Sequence, residues 1–525
     1  MLATMLVALV LLIAAVSLAI KSAQAALDFL PSLNTARPAL ASASPPLGNP
    51  TRRLARRVVL VIVDGLRLDA SYGRPFLDGM RTAGIDARAF AHFPTLSYPN
   101  YVALFTGVDP RRSGTRTNNY APPVLFDSLF ARVRAAGMRA IYLSDGTAGL
   151  PKMFAGHLDE GVVAPWPQGM ERSARTVLER DDELVVFLLD GVDRAGHRWG
   201  AVSREYRHAV AQVDDLLSRL LGDFDLNVNA LVVVADHGHV DSGGHGGTEP
   251  EVVAVPLIMA GAGIRAGATV LDACLVDVAP TVGTLLGLPA PRHSLGQTLV
   301  HALALGTAEQ SALAVADRQR HAELHPMLDT LEREAGQRLL VSRSRRGALV
   351  APLVVLAAAL VARLARRGIV CLDRRVLLIA VPAFPLTFYT MVLVFERFLS
   401  PSMLPSREPL AYKLLLYGLV AALANLGSAW YALAGRASPR QRLAAAAGLV
   451  LVGLILALVP ASAAWILAGE HYARDVLPGP RFLVIPPTAY TAVCCYGFSA
   501  TVTMAIEYIV FLSRALDPAR LRPSP

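Results

Sequence analysis

The chain has 525 residues, room for more than one domain, and 54% of them are hydrophobic. A mean hydropathy of +0.44 excludes an ordinary soluble protein and points to membrane segments. The net charge of +9 does not indicate a nucleic-acid partner, because all but three of the 50 basic residues (Lys21, Lys152, Lys413) are Arg, and many lie in short loops between apolar stretches, where membrane topology accounts for them.

Residues 1–20 carry no side-chain charge and are long enough to cross a bilayer as a helix. Ala23-Gln24-Ala25 has the form of a cleavage site, but no basic region precedes the apolar run, so residues 1–22 are expected to remain as an anchor. Residues 23–56, rich in Pro, Ser and Ala, read as an extended linker. From 57 to 305 apolar runs alternate with amphipathic stretches, with strands expected at 58–63, 140–143, 184–189, 230–234 and 252–258. Uninterrupted apolar runs of that length suit strands covered on both faces. Residues 202–221 carry Val202, Tyr206, Val210, Val213, Leu217 and Leu220 at helical spacing. The expectation is an α/β domain of three layers, α/β/α, around a mostly parallel sheet.

Residues 306–346 read as a charged helical connector, and 347–513 as a C-terminal helical transmembrane bundle followed by a tail at 514–525. Five apolar segments are expected in the bundle, at 347–362, 376–396, 414–434, 443–469 and 488–512. Arg363, Arg366, Arg367, Arg374 and Arg375 lie in the first loop, Arg436, Arg440 and Arg442 in the third, and Arg514, Arg520 and Arg522 in the tail. That bias puts these loops and the C-terminus in the cytoplasm, and the 57–305 domain on the periplasmic or luminal side. Glu507 falls inside the last segment; its expected behaviour is to reach along the helix toward the Arg514 end. The four cysteines (Cys274, Cys371, Cys494, Cys495) form no CxxC pair, which argues against a thiolate metal site.

Five pieces of the α/β domain carry the chemistry: Asp64 in VVLVIVDG, Ser97 in FPTLSYPN, Asp193 and His197 in DGVDRAGH, Asp236 and His237 in VVADHGH, and His245 in GGHGG. The three strands before Asp64, Asp193 and Asp236 all deliver them to the carboxyl edge of a sheet, where open α/β folds build their sites. Any one such Asp is better read as a helix cap, and Asp145 and Asp190 are read that way. The joint pattern reads as a metal centre. Carboxylate oxygen and imidazole without sulfur suit zinc, with manganese a substitute, and there are donors enough for two divalent ions.

With these motifs the sequence resembles the alkaline phosphatase superfamily, and within it the nucleotide pyrophosphatase/phosphodiesterase branch. The resemblance covers about half of the chain and implies that Ser97, two residues before the pair Pro99-Asn100, is the nucleophile, with Thr95 as the fallback. It further implies that Asp193, His197 and His245 hold one ion, and that Asp64, Asp236 and His237 hold the other together with Ser97. Asn118, with Asn119 beside it, stands where the family contacts the phosphoryl oxygens, and DVAPTVGTLLGLPAP at 277–291 resembles the helix that closes the domain. Tyr101 occupies the position where a formylglycine sulfatase would need Arg, so that chemistry is not expected. The layout of anchor, catalytic domain and apolar segments is similar to that of the GPI ethanolamine-phosphate transferases, although the segments are far fewer here. The resemblance implies a membrane-bound phosphotransferase that takes a phosphoethanolamine-like head group from a membrane lipid. The lipid-linked or other acceptor would lie outside the cytoplasm. A phosphodiesterase that hydrolyses nucleotide or lipid diesters with the same residues is the alternative.

Overall fold

The computed structural model describes Leu33 and residues 45–515, except 46, 120–122, 147–148, 269, 271, 370, 372–373, 396–399, 404–409, 435–437, 450, 453–465 and 467–479. The expected anchor at 1–22 and the greater part of the 443–469 segment lie outside the described residues.

One eight-stranded sheet organises the N-terminal domain. Its strands are β1 (Val58–Val63), β2 (Ile85–Phe90), β3 (Ala140–Ser144), β4 (Glu160–Val163), β5 (Leu184–Leu189), β6 (Ala230–Val234), β7 (Ala254–Gly261) and β8 (Ala273–Cys274), in the order β4-β3-β5-β1-β6-β7-β2-β8. β7 pairs antiparallel with both β6 and β2, and every other pairing is parallel. β7 alone therefore runs against the other seven, and the sheet is mixed rather than purely parallel. β1, β3, β5 and β6 are buried at every residue, as continuous apolar runs in the middle of a covered sheet should be.

The apolar runs located the central strands, and the sequence reading missed three others. β2 reads Ile-Asp-Ala-Arg-Ala-Phe, with buried and exposed residues alternating, so its apolar content is too thin to stand out. β4 (Glu-Gly-Val-Val) is short and mostly exposed at one edge, and β8 has two residues at the other. β7 starts at Ala254 rather than 252 because Pro250–Val253 forms a helical turn first.

Register decides where the site lies. β1 is flanked by β5 and β6, with Val63 level with Leu189 and Ile62 level with Val234. Two residues on, Asp64 and Asp236 are level across the β1–β6 pair, and the helix Gly191–Trp199 leaves the end of β5 carrying Asp193 and His197. The helix Arg204–Leu221 buries Tyr206, Val210, Val213 and Leu217, as its spacing predicts.

Beyond the sheet, connector and first apolar segment form one helix, Thr307–Arg366, with Pro326 and Pro352 inside it. Among the described residues, four helices are long and apolar enough to cross a membrane: this one, Val376–Phe395, Tyr412–Ala434 and Cys494–Ser513. Some polar groups buried among them are partnered. The Ala380 carbonyl, at the end of a stretch of π-helix (Val376–Ala380), accepts from Asn425 Nδ2 at 2.7 Å, and Ser499 Oγ donates to Asn425 Oδ1 at 2.9 Å. Glu507 corrects the sequence reading. Its carboxylate is buried and takes a two-pronged bond from Arg442, at 2.9 and 2.6 Å, instead of reaching along its own helix.

Candidate metal centre

The six Asp and His residues singled out in the sequence meet at the carboxyl edge of β5, β1 and β6. Their free ligand atoms form two sets. In one, His197 Nε2 lies 3.0 Å from His245 Nε2 and 3.4 Å from Asp193 Oδ1, and His245 Nε2 lies 3.6 Å from the same oxygen. In the other, His237 Nε2 lies 3.4 Å from Asp64 Oδ1, 3.4 Å from Asp236 Oδ2 and 3.3 Å from Ser97 Oγ. An ion bonded at about 2.0–2.1 Å holds tetrahedral ligands about 3.3–3.4 Å apart, so both sets have edges that fit one.

Four of the six are gripped by their other atom. Asp64 Oδ2 accepts from the buried Tyr101 hydroxyl, which leaves Oδ1 free. Asp236 Oδ1 accepts from the Gly65 N–H at 3.2 Å, which leaves Oδ2 free. His237 Nδ1 donates to the Gly238 carbonyl at 3.1 Å and His245 Nδ1 to the Thr95 carbonyl at 2.7 Å, so the lone pair of each ring is on Nε2. Asp64 Oδ1, Asp193 Oδ1 and Asp236 Oδ2 are buried without a hydrogen-bond partner. Asp64 Oδ1 and Asp236 Oδ2, orphaned and facing the unprotonated Nε2 of His237, are expensive unless a cation sits between them. The residues fit divalent ions.

Electrostatics agrees. Burial, then the charges of Asp236 and Asp193, push the Asp64 carboxyl well above its usual range, and burial and Asp193 do the same to Asp236. Burial pushes His245 down to about 3 and His237 well below its usual value, helped there by His245. Burial would also raise Asp193, but His239, His245 and His197 outweigh it and hold that carboxyl low. His237 and His245 are thus kept neutral, as ligands must be.

Ser97 opens the helix Ser97–Thr106 and is buried. Its neighbours explain the motif around it. Asn100 accepts from the His92 N–H at 2.8 Å and donates to the carbonyls of His92, Pro94 and Leu96 at 3.1, 3.3 and 3.0 Å. This one amide ties down the loop that delivers Ser97. Thr95, the fallback nucleophile, has its hydroxyl engaged elsewhere: it donates to the Gly247 carbonyl and accepts from the Gly246 N–H, both at 2.9 Å. Asn118 is exposed, and its Oδ1 accepts from the Tyr98 N–H at 3.0 Å. Asn119 uses its N–H on Thr117 Oγ1 at 3.1 Å. Asp145, in the loop after β3, and Asp190, at the N-cap position of the helix Gly191–Trp199, also flank Arg194; Asp145 Oδ2 lies 2.9 Å from the guanidinium and its Oδ1 accepts from the Asp190 N–H at 2.6 Å.

Several contributors escaped the sequence reading. Tyr101 entered it only as a position where Arg was missing, and Asn100 only as part of a motif. Unexpectedly, the turn after the second apolar segment also reaches the site. Ser402 Oγ accepts from the Gly247 N–H at 2.9 Å and donates to Glu249 Oε2 at 2.6 Å, and Phe93 packs against the cluster formed by Phe384, Phe388 and Val392. No local pattern announces a contact across 155 residues.

Residues 58–136 and 151–249 match the family described as Type I phosphodiesterase / nucleotide pyrophosphatase. The chain is 28% identical over 277 residues to the human GPI ethanolamine phosphate transferase 2 catalytic subunit, covering 47% of this chain and 28% of that protein. It is 27% identical over 358 residues to GPI ethanolamine phosphate transferase 1 of Aspergillus fumigatus, covering 54% of this chain and 34% of that one. The chain thus spans about a third of the length of these relatives. Among solved structures, murine ectonucleotide pyrophosphatase/phosphodiesterase 5 aligns with a TM-score of 0.39 at 15% identity, over 45% of this chain and 96% of that one. Over these two stretches within residues 58–249 the chain is similar to the type I phosphodiesterase / nucleotide pyrophosphatase family.

Proposed function

We propose that the chain is a membrane-bound, two-metal phosphotransferase that moves a phosphoethanolamine-like head group from a lipid donor to an acceptor outside the cytoplasm. The observation that carries the reading is Ser97 Oγ at 3.3 Å from His237 Nε2, at one corner of a set that includes Asp64 Oδ1 and Asp236 Oδ2. Asp193, His197 and His245 would hold one ion; Asp64, Asp236, His237 and Ser97 would hold the other, zinc or manganese by donor type. When bound, the ions supply Lewis acidity that lowers the pKa of the Ser97 hydroxyl and offsets charge on the phosphoryl oxygens.

The residues divide the remaining work. Ser97 Oγ releases its proton to solvent and forms a bond to phosphorus while the ester bond to the lipid alcohol breaks, leaving the head group on Ser97. Asn118 Nδ2 donates to a phosphoryl oxygen as charge grows there. An acceptor hydroxyl then attacks the phosphoserine and frees Ser97. Similarity to two transferases named for ethanolamine phosphate supports the choice of head group. The four apolar helices support a lipid donor, and the Arg-rich loops support an extracytoplasmic domain, with a cytoplasmic C-terminus and a retained anchor at 1–22. The domain at 57–305 would have three layers, with the sheet as the middle one.

The match to the phosphodiesterase family favours one second reading, hydrolysis with water as acceptor. Purified protein given phosphatidylethanolamine, with and without a glycan acceptor, separates the two. Transfer requires that head-group turnover rise with the acceptor and yield a modified acceptor. Full-rate release without any acceptor sinks it and leaves the hydrolase.

A further inference from the structure

The segment Asp236-His237-Gly238-His239 holds a second imidazole that neither ion set uses. His239 is fully buried. It occupies a slot that two glycines keep open: a Cβ on Gly65 would come within 2.7 Å of His239 Nε2 and 2.9 Å of Asp193 Cβ, and one on Gly196 within 2.6 Å of His239 Nε2. Such approaches are shorter than van der Waals contact allows, so larger residues would displace the ring from Asp193.

A backbone donor identifies the tautomer. The Gly244 N–H donates to His239 Nδ1 at 3.0 Å. A neutral imidazole has one lone-pair nitrogen, so the ring proton is on Nε2. His237 and His245 are the reverse, donating from Nδ1 and presenting a bare Nε2. His239 therefore has no lone pair to offer an ion. Its Nε2 lies 3.0 Å from Asp193 Oδ1, and neither buried atom has a hydrogen bond of full geometry to any group.

We propose that His239 is a positioning residue for the ion set of Asp193, His197 and His245. Its Nε2–H fixes the orientation of the Asp193 carboxylate, and the Gly244 N–H fixes the tautomer that makes Nε2 the donor. One lone pair of Oδ1 accepts from His239 and the other stays available to an ion, the arrangement by which outer groups orient ligand carboxylates. The proposal rests on the two-ion reading.

The test compares His239→Gln with His239→Asn. A Gln amide nitrogen falls near Nε2 and can still donate to Asp193, whereas the shorter Asn reaches only the Nδ1 position beside Gly244. Full-length protein in detergent is titrated with Zn(II) against a chromophoric chelator. The wild type is expected to bind two ions, His239→Gln to bind both within about threefold of wild-type affinity, and His239→Asn to bind one of them about 10–100-fold more weakly. Asn binding both ions as tightly as wild type overturns the proposal. So does loss of the same ion by both variants, which would make His239 a ligand or a packing residue only. A wild type that binds no ion overturns the two-ion reading beneath it, and that result is visible before any variant is measured.

Discussion

At the scale of residues, four of the six candidate ligands have one atom anchored and the other turned to the centre. Tyr101 anchors Asp64, the Gly65 N–H anchors Asp236, and backbone carbonyls anchor His237 and His245. Tyr101→Phe keeps the ring and removes the anchor, so zinc affinity of the set containing Asp64 should fall about 10–100-fold in a chelator competition, with the fold intact. Asn118→Ala should lower kcat by about 10²–10³ with a smaller change in KM, because its donor meets charge that develops in the transition state. The carboxyls also set a pH dependence. Asp64 and Asp236 are raised by burial and by neighbouring charge, whereas His237 and His245 are held neutral down to acid pH. Ions and protons therefore compete for these carboxyls, and affinity should fall as pH falls through their raised range. Zinc affinity measured by calorimetry at a series of falling pH values should weaken; an affinity that does not change with pH would contradict this. The candidate ligands stand out in the sequence because they follow β-runs closely or sit among glycines. Their anchors do not, because Tyr101 reaches Asp64 and Thr95 reaches His245 only after the strands and the Ser97 loop have come together.

At the scale of elements, the centre depends on a sheet edge and two loops. The central strands announce themselves as unbroken apolar runs, and parallel register of β5, β1 and β6 aligns their carboxyl ends. The reversed β7 was not legible, since an apolar run carries no direction. The second loop, 243–247, is braced from outside the domain by Ser402, between the second and third apolar helices. Ser402→Val would leave the Gly247 N–H without its acceptor and Glu249 without its donor, at a cost of roughly 1–3 kcal/mol. Limited proteolysis in detergent should then cut the His245 loop faster in the variant than in the wild type, and equal cutting rates would show that the brace is dispensable. This contact was illegible for a plain reason: two serines in a turn carry no periodic signal, and their partner lies 155 residues away.

At the scale of the whole molecule, the helices and the metal centre are physically joined. Phe93, four residues before Ser97, packs on the helix cluster, and Ser402 touches the loop of His245. A site fastened to a helical bundle at two points suits a donor that lies in a bilayer. The proposed account turns on Ser97 carrying the head group between donor and acceptor. The most direct test is to incubate the purified protein with phosphatidylethanolamine labelled in its head group, withhold the acceptor, quench in acid and map the label by peptide mass spectrometry. The account predicts one labelled peptide, modified on Ser97, with the label lost on adding acceptor and absent in Ser97→Ala or after chelation. Label on Thr95, or undiminished head-group turnover by Ser97→Ala, would contradict it.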